Sequence, residues 1–224
     1  WGCNEEDEIN KYFKQLGLTR LAVMQTNVEP GTIILMKGEE GFLGDHFLDY
    51  VSAKADESRE YGVYAGSAKD EVDAVLKKFK STSKISGSAA LSFLVKVFNI
   101  SPTADIELND TTSIDLPDAK VRKMKVANLE TFLSRKESQT FKNKVREWTA
   151  QGLIVYIAYE AYRGKSIKLV AEQGMDIAPK LKVAAIASIP IQGTGGVTYK
   201  KTSSNEIIVT GNQQYVFAVR TAQL

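Results

Sequence analysis

The sequence is poor in the residues from which most enzyme active sites are built. Its 224 residues contain one cysteine, Cys3, and one histidine, His46. A single cysteine excludes an internal disulfide framework and a multi-cysteine metal site, and a single histidine leaves little for a catalytic triad or a zinc site. Around the other acid/base candidates, Asp45 and Glu160, we find no nucleophile elbow, phosphate loop or metal-ligand spacing. We therefore expect a protein that is not an enzyme, with no catalytic residues and no metal.

Strong net charge and long apolar runs are also absent. Lys and Arg number 29 and Asp and Glu 27, so the net charge is +2, which is too small to indicate nucleic-acid binding. The longest uncharged stretch, Val183–Tyr199, has 17 residues and contains Pro190 and three glycines. A membrane-spanning helix needs about 20 mostly apolar residues. With 43% hydrophobic and 25% charged residues, the composition predicts a soluble folded protein.

Both ends of the chain have distinctive sequences. Cys3 precedes an acidic tract and an amphipathic helix that we predict between Asn4 and Gly17, and no intact signal peptide is recognisable. Cys3 has three interpretations: an inert terminal thiol, a site of thioester lipidation, or the lipid-bearing cysteine of a processed bacterial lipoprotein. At the other end, the chain stops at Leu224 soon after a core-like strand. We expect that a segment beyond Leu224 has been removed.

Hydrophobic periodicity in between predicts one α+β domain, 1–224, with a central twisted antiparallel sheet and peripheral helices. The predicted strands are Arg20–Gln25, Thr32–Lys37, Leu153–Tyr162 and a hairpin of Glu206–Val209 with Tyr215–Arg220 around Thr210-Gly211-Asn212. The predicted helices are Phe42–Val51, Lys69–Phe79, Asn128–Leu133 and Glu137–Gln151, the last ending at Gly152.

Two segments carry an unusually long alternation of apolar and polar residues. The first has one arm over Lys84–Phe98 and a second arm after Ser101-Pro102; the second has arms that follow Ser166 and Lys180. Each arm is at least as long as the roughly 9–11 residues that a tilted strand needs to cross a bilayer. The apolar face of these arms contains Ile85, Leu91, Phe93, Val95, Ile106, Leu108, Ile114, Ile167, Leu169, Met175, Val183 and Ile189.

The alternation by itself favours a soluble sheet with one packed and one wet face. Two features favour membrane strands: the arms exceed the usual strand length of about 5–6 residues, and their apolar faces contain many small residues. Lys84–Phe98 also fits a helix, with Leu91, Leu94, Val95 and Phe98 on one face. A segment that satisfies both periods is what a refolding element needs.

Taken end to end, the chain resembles the bacterial gasdermins, compact relatives of the pore-forming domain of animal gasdermins; fungal gasdermin-like proteins are the nearest alternative. The resemblance covers essentially all 224 residues and depends on the order of elements more than on invariant motifs. These elements are Cys3, a helix ending near Gly17-Leu18, strands around Pro30-Gly31, the small-residue segment Ser86–Leu94, Leu153–Ala158 leading into Lys165–Leu169, a turn with Gly193, Gly195 and Gly196, and the ending Glu206–Gly211 with Tyr215–Arg220.

The resemblance implies a pore-forming protein that causes bacterial cell death in antiphage defence. It implies that a caspase-like or other protease removes a C-terminal inhibitory peptide, here at or after Leu224, and that Cys3 carries a covalent palmitate. It further implies rings of many copies, each of which adds two hairpins to one large β-barrel, about Lys80–Leu116 and Ser166–Ile191. The protein would be cytoplasmic when inactive and in the bacterial inner membrane when activated.

Basic residues flank the first of these hairpins. They could bind anionic lipid headgroups at about 1 kcal/mol per cation, although solvated surface charge is the more usual role of such runs. The predicted headgroup contacts are Lys77, Lys78, Lys80, Arg122 and Lys123. The rival function is an extracytoplasmic binding lipoprotein anchored through Cys3, which a removed signal peptide ahead of Cys3 would favour.

Overall fold

The computed structural model describes residue 9 and residues 13–25, 28–37, 40–50, 71–74, 79–98, 108–177 and 197–224. Within these ranges the structure has ten strands, three α-helices with described bounds and the 3-10 turns Phe47–Tyr50 and Lys136–Ser138; residues 9 and 13–15 are also α-helical. The strands are β1 (Thr19–Gln25), β2 (Thr32–Lys37), β3 (Glu40–His46), β4 (Val72–Asp73), β5 (Phe79–Ile85), β6 (Thr111–Asp115), β7 (Lys120–Lys123), β8 (Ile154–Ala171), β9 (Val197–Ser203) and β10 (Glu206–Gln223). The helices are α1 (Gly87–Phe98), α2 (Val126–Leu133) and α3 (Gln139–Ala150).

The chain divides into two compact units. The first unit comprises Trp1–Thr26, Asp73–Ala119 and Arg163–Phe217, and the second comprises Asn27–Val72, Lys120–Tyr162 and Ala218–Leu224. The 18-residue strands β8 and β10 contribute residues to both units. Across the described ranges, the strands are antiparallel wherever their registers are resolved.

The second unit is a sheet covered by helices. β2 lies between β3 and β8, so that Leu35 is opposite both Phe42 and Val155. One face of this sheet packs on α2 and α3 through a buried core. That core contains Ile33, Phe47, Met124, Leu129, Phe141, Trp148, Val155 and Ile157.

The first unit combines strand pairs with α1. β6 lies between β5 and β8, and β9 forms a hairpin with β10. The ring of Phe98, at the end of α1, stands edge-on to the ring of Tyr215 at a centroid distance of 5.5 Å. Ala90 and Leu94 of α1 are fully buried, so the helix is part of the core of this unit.

Several predicted elements are confirmed. The predicted strands Arg20–Gln25 and Thr32–Lys37 are β1 and β2, and the predicted helices Asn128–Leu133 and Glu137–Gln151 correspond to α2 and α3. Gly152 follows α3 with φ of +79°, as a helix-terminating glycine does. The predicted strand Leu153–Tyr162 is the first half of β8.

Two predicted helices are wrong where the structure describes them. Half of the predicted helix Phe42–Val51 belongs to β3, because residues 42–46 pair along β2, and Phe47–Tyr50 forms a 3-10 turn; the cross-strand contact overrides the local helical spacing. Within Lys69–Phe79, Val72–Asp73 is a strand that pairs with β7 and Phe79 begins β5. Residues 69, 70 and 75–78 lie outside the described residues.

The predicted hairpin at the end of the chain is also wrong. Glu206–Gln223 is one continuous strand, and its hairpin partner is β9. Gly211 is inside this strand rather than in a turn. A Cβ atom there would lie 3.2 Å from the ring of Phe98, so Gly211 makes room for aromatic packing.

Candidate membrane-insertion segments

The first alternating segment is folded as strand, helix and strand. β5 pairs antiparallel with β6, and α1 follows directly after Ser86. The Ser86 hydroxyl accepts a hydrogen bond from the Ala89 N–H at 3.1 Å, the usual N-cap interaction. The Gly87 N–H donates to the Asp110 carboxylate at 3.3 Å, so the first turn of α1 is tied to the residues that precede β6.

In α1 the buried residues follow the helical period of three or four residues and not the two-residue alternation that the sequence shows. The buried face contains Ala90, Phe93, Leu94 and Phe98, spaced by three or four residues. Ser88 and Ser92 are exposed, and Leu91 is half-buried. The helical alternative for Lys84–Phe98 is therefore the one adopted here, and only the residues up to Ile85 are in a strand.

The second alternating segment begins in the last part of β8. Residues Lys168–Ala171 pair with β6, with Leu169 opposite Ile114 and Lys168 opposite Asp115. The chain then turns at Gly174, whose φ is +89°. The return arm, residues 178–191, lies outside the described residues.

Most of the residues predicted to face lipid whose side chains are described lie inside the protein. Eight of the twelve have described side chains: six are buried and two, Leu91 and Met175, are half-buried. The buried ones are Ile85, Phe93, Leu108, Ile114, Ile167 and Leu169. Ile106, Val183 and Ile189 lie outside the described residues, and Val95 is in α1 with an undescribed side chain.

The predicted headgroup cations have different surroundings. Arg122 donates to Glu29 at 2.7 Å and lies 3.6 Å from the Glu71 carboxylate. Lys123 lies 3.3 Å from the carboxylate of Glu160. Lys80 is in β5, and its side chain is not described; Lys77, Lys78 and Cys3 lie outside the described residues.

Comparison with models of protein families identifies the family of this chain. The model of the Bacterial Gasdermin Family matches residues 21–224. The chain belongs to the bacterial gasdermin family. The resemblance predicted from the sequence is therefore confirmed.

The fold of this gasdermin agrees with that assignment. The solved structure of a bacterial gasdermin from Bradyrhizobium tropiciagri is similar to it with a TM-score of 0.56 at 10% sequence identity; the match covers 96% of this chain and 85% of that chain. The predicted mixed fold with a large antiparallel sheet is thus confirmed. A search of curated proteins gives no match. Family and fold support a pore-forming gasdermin, and the family is generally non-enzymatic.

Sequence reasoning missed the role of Glu160 in this gasdermin. The Glu160 side chain is 8% exposed, accepts a 2.6 Å hydrogen bond from the Tyr162 hydroxyl, and lies 3.2 Å from Arg220 as well as near Lys123. Burial, and then the hydrogen bond to Glu160, raise the pKa of Tyr162 well above its usual range. The sequence signal was a carboxylate in an otherwise apolar strand, which indicates a structural ion-pair cluster rather than an acid/base site.

Within the described ranges, neither a metal site nor a membrane-spanning helix is present. No three His, Cys, Asp or Glu side chains there are placed to hold a metal ion together. No helix within those ranges is long and apolar enough to cross a bilayer.

Proposed function

We propose that this gasdermin forms large membrane pores that kill the bacterial cell in antiphage defence. A caspase-like or other protease releases the pore-forming chain by cutting at or after Leu224, and the protein moves from the cytoplasm to the inner membrane. A palmitate on Cys3 strengthens attachment to that membrane. Copies of the chain then assemble into a ring, and each contributes the hairpins Lys80–Leu116 and Ser166–Ile191 to a common barrel.

One observation carries this proposal: residues suited to face lipid form part of the core of the folded chain. Phe93, Ile114 and Leu169 are almost fully buried, yet each belongs to an arm whose polar residues alternate with apolar ones. A bilayer offers such side chains an apolar environment equivalent to the core, so burial can be exchanged for lipid contact.

The existing strand pairs provide a starting point for the hairpins. β5 and β6 are already antiparallel neighbours, and so are β6 and the end of β8. Isolated hairpins cannot enter lipid, because every backbone N–H and C=O in the bilayer must be hydrogen-bonded. Neighbouring copies in a closed ring supply the missing partners.

The basic residues support attachment to anionic lipid. Lys77, Lys78 and Lys80 precede or begin β5, at the base of the first hairpin. Arg122 and Lys123 are paired with carboxylates in the folded chain, so their contact with headgroups requires exchange of those partners. The Lys123 side chain is 54% exposed and can make this exchange more easily than Arg122, at 14%.

The experiment is dye release from vesicles of anionic phospholipid. We expect the chain 1–224 to release dye without a protease, and Cys3→Ala to release it more slowly. Leu91→Lys should block release, because a cation on the lipid face costs about 2–4 kcal/mol per copy at the bilayer midplane. Ser92→Lys is the matched control, since its neighbouring position is on the polar face, and it should still release dye.

Intact vesicles at micromolar concentrations of the folded chain would contradict the proposal. In cells, induced expression should kill the host with the Ser92→Lys protein and not with Leu91→Lys. Equal toxicity of the two variants would show that the assignment of faces is wrong.

A further inference from the structure

β5 and β6 are paired in two different registers. At the start of β5, Phe79 is opposite Ile114 and Lys80 is opposite Ser113, whereas at its end Ile85 is opposite Thr111. From Lys80 to Ile85 is five steps along β5, but from Ser113 to Thr111 is only two steps along β6. β5 therefore carries three residues more than its partner over this stretch.

These two registers have opposite consequences for an amphipathic hairpin. Residues directly opposite each other in an antiparallel pair point to the same face, and a slip by an odd number of residues exchanges the faces. The apolar residues of the first arm have odd numbers and those of the second arm, such as Leu108 and Ile114, have even numbers. The register of Phe79 with Ile114 thus brings apolar residues together, whereas Ile85 opposite Thr111 pairs an apolar with a polar residue.

In the folded chain Ile85 and Thr111 are both buried, with exposures of 2% and 0%, and the Thr111 hydroxyl has no hydrogen-bond partner among the described residues. In a bilayer this mismatch would place one polar arm against lipid.

We propose that membrane insertion requires the end of β5 to slip by three residues along β6, while Phe79 and Lys80 keep their partners, so that Ile85 moves from Thr111 to a position opposite Leu108. The slip rests on the proposed function, since it concerns the inserted hairpin. It extends the register of Phe79 and Lys80 along the whole segment and corresponds to a movement of about 10 Å at roughly 3.3 Å per residue. The turn of the hairpin then falls between Lys96 and Val97, so the first membrane strand ends before Phe98, where the alternating arm ends in the sequence.

The docking of α1 holds the folded register in place. Gly87 packs directly on the carbonyl oxygen of Leu108, and its N–H is bonded to Asp110. The intervening Asn109 donates its backbone N–H to Ile177 at 2.9 Å and its side-chain amide to the Asp176 carbonyl at 2.6 Å. While these contacts persist, Leu108 cannot lie opposite Ile85, so undocking of α1 and the slip occur together.

Disulfides can separate the two registers, in a Cys3→Ser background whose own dye release from anionic vesicles is the reference. Ile85→Cys with Thr111→Cys locks the folded register, and we expect oxidation to abolish release and reduction to restore it. Lys80→Cys with Ser113→Cys is the matched control: this pairing is common to both registers, so its release should be the same when oxidised and reduced, whatever loss of lipid attachment follows from removing the Lys80 cation. Release by the oxidised 85–111 protein at the rate of its own reduced form would overturn the slip.

A third pair keeps the test decisive if the buried 85–111 pair impairs folding. Ile85→Cys with Leu108→Cys should form its disulfide in vesicle-bound protein and not in solution, as read by gel mobility after thiol trapping. A disulfide that forms equally in both conditions, or in neither while the vesicles leak, would overturn the slip. No release by the reference background would instead contradict pore formation itself, and the slip with it.

Discussion

Gly87 packs so closely on Leu108 that a Cβ atom at position 87 would collide with the Leu108 carbonyl oxygen. This contact fixes where α1 begins. Because of this contact, we expect Gly87→Ala to lower the free energy of unfolding, whereas Gly→Ala in a helix usually raises it. In an exposed helix, Gly→Ala stabilises by about 1 kcal/mol, but here the collision should lower the free energy of unfolding by about 1–3 kcal/mol. Urea unfolding followed by circular dichroism measures the change.

Gly174→Ala is the control for this substitution. A Cβ atom at Gly174 meets nothing within 4 Å, but its φ of +89° is unfavourable for alanine, so a loss of only about 1–2 kcal/mol is expected. A Gly87→Ala protein more stable than wild type would show that Leu108 moves aside without cost.

The Glu160 cluster yields a prediction for the second unit. Glu160→Gln keeps an acceptor for the Tyr162 hydroxyl but removes the charge that faces Lys123 and Arg220. Both cations reach solvent, with exposures of 54% and 36%, so they are not stranded. We therefore expect a loss of about 1–2 kcal/mol in the free energy of unfolding rather than the 3–5 of a fully buried pair.

Glu147→Gln is the matched substitution for that measurement. Glu147 is 53% exposed and pairs with Lys144 one turn away on α3, so its loss should change stability by less than about 0.5 kcal/mol. Equal effects at positions 160 and 147 would mean that the buried cluster contributes nothing beyond a surface pair.

The raised pKa of Tyr50 predicts that the protein loses stability at alkaline pH. Burial, followed by its 2.7 Å hydrogen bond to Asp45, raises the pKa of Tyr50 to about 12. Below pH 10 the phenol is protonated in both the folded and the unfolded chain, so its contribution to stability is complete. Between pH 10 and about 12 the unfolded chain releases this proton and the folded chain keeps it, so stability falls with rising pH.

Tyr50→Phe removes that component. Urea unfolding at pH 9 and pH 11 should show a smaller decrease in the variant than in wild type, and Asp45→Asn should fall between them because burial of the ring remains. Identical decreases in wild type and Tyr50→Phe would show that the Tyr50 pKa is not raised in the folded chain.

The elements that the sequence predicts well are those specified by neighbouring residues. α3 has a 3.6-residue apolar period and a terminating glycine at 152, and β2 is an uninterrupted β-branched and aliphatic run. The sequence predicts a helix over Phe42–Val51, although residues 42–46 are in β3, because the strand conformation of β3 depends on its pairing with β2. A Cβ atom at Gly44 would lie 3.3 Å from Ile33 of β2, and this close approach exists only because the two strands pair.

In the candidate membrane-insertion segments, too, the features that depend on contacts between distant residues are the ones that the sequence does not predict. Lys84–Phe98 satisfies both periods, so its helix depends on contacts with Leu108 and Asp110, about twenty residues further along. Arg122 belongs to a basic run in the sequence, but its partner Glu29 is 93 positions away and no local pattern indicates it. The sequence shows that Glu160 is ionisable, but it does not show that the neighbouring cations are Lys123 of β7 and Arg220 of β10, because both are distant in the sequence.

The burial of Phe93, Ile114 and Leu169 has a consequence for how this sequence can vary. In the proposed mechanism such a position has to suit two environments in turn: a close-packed protein interior, which restricts side-chain volume, and hydrocarbon, which restricts side-chain polarity. A small polar residue that the core can accept by hydrogen-bonding it is disfavoured in hydrocarbon, and a larger apolar residue acceptable to lipid is rejected by the core. In a saturation mutagenesis library selected for pore formation, these positions should accept fewer residues than equally buried ones such as Phe141, where only the stability of the folded state restricts the side chain.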